Sequence, residues 1–280
     1  MNLNDKLIIN VALTGMIPMK GDNPAVPISP DEIADDVKRC YDLGASIFHI
    51  HARDPDGTPT YRIEVFREIA ERIKSRVPDI IFCVTTSGRL YNEFEKRSQV
   101  LDLTDPMKPE MASLTLGSMN FPKQASVNAP EMIQSLAKRM NERGIQPELE
   151  AFDMGMIDYS KYLIEKEIVK APYYYNLLLG SLGTIQATPL NLALMVNVLP
   201  EGSTWAATGI GKSQFPINAS AITMGGHVRV GLEDSIFMDA DKKDPATNPR
   251  LVERLVQLAR AVGREPTTPE ESQEIIGIQK

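Results

Sequence analysis

Short apolar segments and amphipathic segments take turns along this chain from one end to the other, a pattern that points to parallel strands linked by crossover helices. The first strand is expected at KLIINVALTG (6–15), followed by a loop rich in Pro and Gly and a helix at SPDEIADDVKRCYDLG (29–44). That helix carries its own punctuation. Ser29 with Glu32 three residues on is a capping box, Pro30 suits the first helical position, and Gly44 closes the last turn. SIFHIHARD (46–54) and DIIFCVTTSG (79–88) read as the second and third strands, with a helix at 60–77 between them. MASLTLGSMNF (111–121) and PELEAFD (147–153) come next, followed by helices at 129–144 and 158–169. The apolar segments YYYNLLLG (173–180), TPLNLALMVNVL (188–199), STWAATGIG (203–211), the one ending at AITMGG (221–226) and HVRVGLED (227–234) are read as carrying the strand pattern to its end, and 248–263 supplies a final amphipathic helix. Eight βα units in 280 residues predict a single α/β domain over 1–280, a closed (β/α)8 TIM barrel, with an open doubly wound sheet as the alternative. Its functional residues are then expected at the C-terminal ends of the strands.

Charge narrows the partners. Thirty Lys and Arg stand against 37 Asp and Glu, a net charge of −7, and no block of like charge occurs. Nucleic acid and an anionic membrane surface are excluded as general partners. The first residues lack a basic segment followed by a long apolar run, so a soluble cytoplasmic protein is expected. Cys40 and Cys83, the two cysteines, sit in a helical and a strand pattern and are read as buried free thiols.

Two of the three histidines fall in FHIHARD. Residues i and i+2 of a strand share a face, so His49 and His51 would both project into the barrel, where two imidazole nitrogens and a carboxylate suit Zn2+. The competing reading is two histidines with unrelated hydrogen bonds. HVRVGLED, the last strand, lies next to the early strands that close the ring. On it Arg229, Gly231 and Glu233 share a face, Gly231 leaving space beside whatever Glu233 binds. Glu233 is therefore the candidate third ligand. Asp234 can pair with Arg229 as a base held by a guanidinium, or merely cap the strand end. His227, at the opposite end of that strand, is read as structural.

Other strand ends are unusually polar. Thr85, Thr86, Ser87 and Ser113, with backbone N–H groups near Gly88, can hold a carboxylate or an enolate oxygen. Glu148 and Glu150 share an inward face, and Glu150, nearer the strand's C-terminal end, is the functional candidate. AATGIGKS (206–213) is a degenerate P-loop, which suggests a nucleotide-binding protein; in a barrel, Gly209, Gly211 and Lys212 would instead meet the phosphates of a coenzyme.

In order and spacing, NPAVPISPDEIA, FHIHARDPDGTP, the TTSG strand end, KPEMASLTLGSMNF, PELEAFD, ATGIG and MGGHVRVGLED resemble the β-keto acid cleavage enzymes over essentially the whole chain. The resemblance implies a barrel enzyme with Zn2+ on His49, His51 and Glu233, and a catalytic pair Asp234 and Arg229. It also implies substrate-binding hydroxyls at Thr85 and Ser113 and a buried functional Glu150. The implied reaction joins a β-keto acid with acetyl-CoA and releases acetoacetate and a new acyl-CoA, in a homo-oligomer, commonly a tetramer. A barrel aldolase or metal hydrolase without CoA is the rival within enzymes. Two positions depart from the family pattern. Members acting on an amino-substituted keto acid carry a glutamate where this chain has Ile17, and TTSGR stands where the family often has paired glycines, so that Ser87 makes the loop less permissive and Arg89 adds charge close to the site. A substrate with an uncharged, apolar side chain is expected from Ile17, unless Arg89 or Lys20 turns the preference toward a second carboxylate.

Overall fold

The computed structural model describes residues 5–278. Eight parallel strands close into a barrel in chain order: β1 (Ile9–Ala12), β2 (Ile47–Ile50), β3 (Ile81–Val84), β4 (Met111–Thr115), β5 (Gln146–Ala151), β6 (Tyr174–Leu179), β7 (Thr204–Gly209) and β8 (His227–Val230). β8 hydrogen-bonds to β1, with Val228 opposite Ile9, so the doubly wound alternative is excluded. A helix follows each strand: α1 (Pro30–Asp42), α2 (Ile63–Arg76), α3 (Phe94–Ser98), α4 (Pro130–Arg143), α5 (Met154–Glu165), α6 (Pro189–Asn197), α7 (Gln214–Thr223) and α8 (Asn248–Ala261).

Local chemistry explains why these elements start and stop where they do. Ser29 and Glu32 form the reciprocal capping box of α1, whose buried face is Ile33, Ala34, Val37 and Cys40. The two segments 188–199 and the one ending at 226 are helical, not extended. In the first, Thr188 caps Asn191 N–H and Pro189 occupies the first turn, but the helix is apolar almost all round, so it lacks the period that marks a helix. In the second, Ile217, Ala221 and Ile222 form the buried stripe. An additional helix, α9 (Pro269–Ile276), is capped by Thr268 and Glu271 and brings Ile276 beneath the barrel.

The barrel interior is layered. Ile8, Ile47, Ile81, Met111, Tyr174 and Ala206, with Ile276 from α9, fill its N-terminal end with apolar volume. Two residues further along each strand the inward layer turns polar: Asn10, His49, Cys83, Ser113, Glu148, Asn176, Thr208 and Arg229 are all buried. Above this layer the barrel opens into a cavity of about 870 Å³ at the C-terminal strand ends. Apolar packing below thus holds the floor of a polar pocket. Both cysteines are buried and unbridged, and no helix among the described residues is long and apolar enough to cross a membrane.

Candidate metal centre and active site

The centre of the pocket rests on β2. His49 projects inward from the strand, and His51, one residue past its end, sits above it with the rings tilted by 48° and their Nε2 atoms 3.2 Å apart. Glu233 arrives from the other side of the ring seam, with Oε1 3.3 Å from His51 Nε2 and Oε2 3.9 Å from His49 Nε2. Around a tetrahedral Zn2+ with bonds of ~2.05 Å, neighbouring ligand atoms lie about 3.3 Å apart. The Nε2–Nε2 separation and that from His51 Nε2 to Glu233 Oε1 match that edge, and Oε2 stands wider from His49. Glu233 Oε2 is also buried without a hydrogen-bond partner among the described residues, a costly state for a carboxylate oxygen unless a cation satisfies it. The donor set therefore fits a divalent ion.

The chain delivers Glu233 and Asp234 by a turn, not by the strand. β8 ends at Val230, and Asp234 N–H and Ser235 N–H both donate to Gly231 O, which coils 231–235 so that two consecutive carboxylates face the pocket. A continuing strand would have sent one of them outward. Gly231 does not make room beside Glu233: at φ +152° it lies against β1, where a Cβ would come 2.0 Å from Ala12 O. The space next to Glu233 comes from Gly15, at φ +65°, where a Cβ would sit 2.5 Å from Glu233 Cγ. Arg53, buried at the end of HARD, donates to the carbonyls of Gly15, Pro18 and Gly57 and so fixes the loop that carries Gly15 and Ile17.

Below the histidines lies Glu148. Its Oε1 accepts from Asn10 Nδ2 at 2.6 Å and Asn176 Nδ2 at 2.5 Å; its Oε2 accepts from His49 Nδ1 at 2.8 Å and the Cys83 thiol at 3.4 Å. A carboxylate can only accept, so His49 carries its proton on Nδ1 and turns the Nε2 lone pair toward His51 and Glu233. His49, Cys83 and Glu148 form a second cluster of metal-ligand types. Its carboxylate is already saturated by four donors, which makes it a support for His49 and not an open site. Burial works against charge on Glu148, but His49, Arg229 and Asn10 together outweigh it and hold the carboxyl below its ordinary range. Burial also pushes the Cys83 thiol well up.

Arg229, buried on β8, connects the remaining acids. It donates to Asp234 through Nε and Nη2 at 3.0 and 3.3 Å, to Glu150 through Nη1 at 3.0 Å, and lies 3.0 Å from Glu233 Oε1. Burial raises the pKa of Asp234 and Glu150 against the pull of this guanidinium, with Glu233 adding to Asp234 and Glu148 to Glu150. For Glu233 burial is overcome by His51 and Arg229, and its carboxyl stays well below the usual range. Around the histidines two acids, Glu148 and Glu233, thus hold their charge more readily and two, Glu150 and Asp234, accept a proton more readily.

The cavity wall includes Thr85, Ser87, Ile17, Glu150, Gly211, Lys212, Arg229, Glu233 and Asp234 with both histidines. Thr86, Ser113, Gly88 and Gly209 are not on it. Thr86 N–H donates to Ser113 Oγ and Thr86 Oγ1 to Ser113 O, a clasp between β3 and β4. Gly88 lets the Arg97 guanidinium pass, a Cβ there falling 2.4 Å from Nη1. Gly209 ends β7 against Ser213, where a Cβ would meet the carbonyl oxygen at 2.2 Å. That contact gives AATGIGKS the job of a tight strand-to-helix turn in a barrel, with Lys212 exposed at the mouth. Lys20, on the surface, pairs with Glu32 at 2.7 Å. His227 Nδ1 accepts from Ile8 N–H at 3.0 Å, and burial together with Arg264 pushes its pKa down to about 3.

Sequence reasoning passed over Thr115, whose Oγ1 donates to Glu150 Oε2 at 2.7 Å on the cavity wall. The period of two from Ser113 was its signal. Glu148, Asn10 and Asn176 were missed as a unit because they come together from three strands across the barrel interior, a juxtaposition with no local pattern.

Fold and site define a class: a TIM-barrel protein whose C-terminal mouth holds imidazoles, carboxylates and one buried guanidinium. A profile of the beta-keto acid cleavage enzyme family matches residues 6–278. A 3-keto-5-aminohexanoate cleavage enzyme of Fusobacterium nucleatum is 40% identical over 277 residues, covering 99% of both chains. A 3-oxoadipate:acetyl-CoA acetyltransferase of Cupriavidus necator is 33% identical, covering 97% of this chain and 94% of its own. Among solved structures, a ternary complex of ObcA with a C4-CoA adduct and oxalate superposes with a TM-score of 0.81 at 19% identity, over 91% of this chain and 68% of that one, and speaks for the fold alone. The chain belongs to the beta-keto acid cleavage enzyme family.

Proposed function

We propose that the cavity carries out an acetyl-CoA-dependent cleavage in which a β-keto acid and acetyl-CoA become acetoacetate and a new acyl-CoA. The supporting observation is the convergence of His49, His51 and Glu233, with an orphaned Glu233 oxygen, beside the Asp234–Arg229 pair at the base of one cavity. Zn2+ is the ion proposed for that ligand set, and when bound it supplies Lewis-acid polarisation of the keto acid oxygens. The names of relatives that act with acetyl-CoA support the co-substrate.

Asp234 is the proposed base. Arg229 fixes its carboxylate, and burial raises its proton affinity, so it takes the C2 proton of the keto acid. The C2 electron pair forms a bond to the acetyl carbonyl carbon, and CoA leaves as thiolate. The thiolate then attacks C3 of the original keto acid, the C2–C3 bond breaks, and C2 takes back the proton held by Asp234. Acetoacetate and the acyl-CoA of the original side chain leave, so atoms and charge balance. The Thr85 hydroxyl, which accepts from Ser87 N–H at 3.1 Å, keeps its own proton available to steady the carboxylate or oxyanion. Ser113 acts through its clasp on Thr86. Lys212 at the rim, with Gly211 beside it, attracts the CoA phosphates. A cytoplasmic homo-oligomer is part of the reading, and Leu190 and Leu194, exposed one turn apart on α6, are suited to self-association.

The test is acetoacetate release from a panel of β-keto acids with and without acetyl-CoA. CoA-dependent release that His49→Ala and His51→Ala remove together with about one bound divalent ion per chain is the expected result. Turnover without acetyl-CoA would favour the aldolase or hydrolase reading.

A further inference from the structure

Arg89 follows β3 in the loop that borders the cavity. Its guanidinium carbon lies 3.4 Å from the centroid of the Phe121 ring, which itself meets Phe152 edge-on at 6.2 Å. Stacking of this kind fixes the plane of the fork while leaving its N–H groups free to bind. Among the described residues the Arg89 side chain has no ion pair. None of the five carboxylates on the cavity wall pairs with it. Glu150, Glu233 and Asp234 are held by Arg229; Asp22 accepts from Met19 N–H, and Asp239 from the N–H groups of Lys243 and Asp244. Yet Arg89 is largely withdrawn from water, which lowers its pKa, and it lies near enough to Glu233 and Glu150 to feel their charge. A partly buried, stacked and unpaired guanidinium beside a reaction centre is a receptor for an anion.

We propose that Arg89 binds a terminal carboxylate of the keto acid, so that the substrate is a 3-oxo dicarboxylate. This deepens the cleavage reading and rests on it. Two features assign the anion to the keto acid and not to CoA. Arg89 is partly buried on the cavity wall that also carries Glu233 and Glu150, whereas the CoA phosphates have the exposed Lys123, Lys212 and Lys242 at the rim. Ile17, on the same wall, offers no carboxylate to a cationic side chain.

The experiment compares 3-oxoadipate with 3-oxohexanoate, six-carbon keto acids that differ at the far end by a carboxylate in place of a methyl. Calorimetric Kd on the metal-loaded protein and kcat/KM with acetyl-CoA are measured for wild type, Arg89→Gln and Arg89→Lys. The wild type is expected to prefer 3-oxoadipate in both, and Arg89→Gln to shrink that ratio about 100-fold, the size of a lost charge-assisted, bidentate contact. Arg89→Lys keeps the charge without the fork and is expected to recover part of the loss. A wild type that binds both acids alike overturns the proposal, whatever the turnover. So does an Arg89→Gln variant whose ratio is unchanged while its KM for acetyl-CoA rises, because the anion is then a CoA phosphate. A Kd preference that depends on Arg89 without any CoA-dependent turnover upholds the carboxylate site and overturns the cleavage reading.

Discussion

Replacing Glu148 by Gln tests whether the metal ligands depend on a residue that touches no ligand atom facing the ion. The carboxylate satisfies four donors, two on each oxygen. Glutamine has one oxygen and one NH2, so either the two asparagine amides or His49 Nδ1–H and the Cys83 thiol must face a donor. Each buried donor left unpaired costs roughly 1–3 kcal/mol, and charged acceptors sit at the upper end of that range. Repacking spares some of this, which leaves an expected stability loss of about 2–4 kcal/mol. If His49 rotates to escape, its Nε2 no longer points at His51 and Glu233. Loss of an outer-shell partner typically weakens metal binding 10- to 100-fold, or about 1.4–2.8 kcal/mol.

The assay is competition for zinc against a chromophoric chelator, run on Glu148→Gln, Cys83→Ser and wild type, with denaturant melts alongside. Glu148→Gln is expected to lose affinity in that range, and Cys83→Ser to stay within about threefold, since a thiol 3.4 Å from Glu148 is a minor donor. An unchanged affinity in Glu148→Gln would refute the idea that Glu148 sets the tautomer of His49. A collapse in Cys83→Ser instead would place the ion in the His49, Cys83 and Glu148 cluster.

Gly15→Ala forces a side chain into a left-handed φ and against Glu233 Cγ, so about 1–2 kcal/mol of stability and a clear drop in zinc affinity are expected in the same titration. Asp234→Asn is expected to lower kcat at least 100-fold while metal content stays near wild type; a parallel loss of metal would mean that Asp234 is a ligand. Lys212→Ala should raise the KM for acetyl-CoA and leave kcat nearly unchanged, and equal KM values would remove it from the CoA site. His227 has a folded-state pKa near 3, below the 6.5 of the unfolded chain, so the unfolded state takes up its proton first and stability falls as pH drops from about 6.5 toward 3. His227→Asn, which keeps an acceptor for Ile8 N–H, is expected to flatten that limb of the stability profile relative to wild type.

The barrel was legible in the sequence because each unit announces itself locally: Ser29 with Glu32 starts α1, and the alternation in FHIH sets β2. The strand-like reading of 188–199 failed for a physical reason. A helix with little polar face has no 3.6-residue period to show, and only the Thr188 and Pro189 cap marks it. Within the site, side chains that act alone were visible from their own strand. Glu233 was chosen by a strand rule although a turn presents it, and the space that rule gave to Gly231 comes from Gly15 instead. Contacts such as Glu148 with Asn10 and Asn176 span 138 and 28 residues and exist only once the ring has closed.

The division between strands and loops explains how one centre can serve different keto acids. His49, Glu148, Glu150 and Arg229 stand on barrel strands, locked through hydrogen bonds that cross the interior, and a shift of any one of them disturbs at least one other. Ile17, Ser87 and Arg89 stand on loops whose backbone is tied elsewhere, that of Ile17 through Arg53 and that of Arg89 through Gln124 Nε2 on its carbonyl. A change at position 17 or 89 is therefore expected to alter what the far end of the cavity accepts without moving the strand-borne groups at its base. Relatives whose names specify 3-keto-5-aminohexanoate, 3-oxoadipate and 3-dehydrocarnitine differ in the charge at that far end, which is where these loop residues lie in the proposed complex. In this chain that end pairs an apolar Ile17 with an unpaired guanidinium, a combination that repels an ammonium and leaves the carboxylate as the charge that gains most from binding.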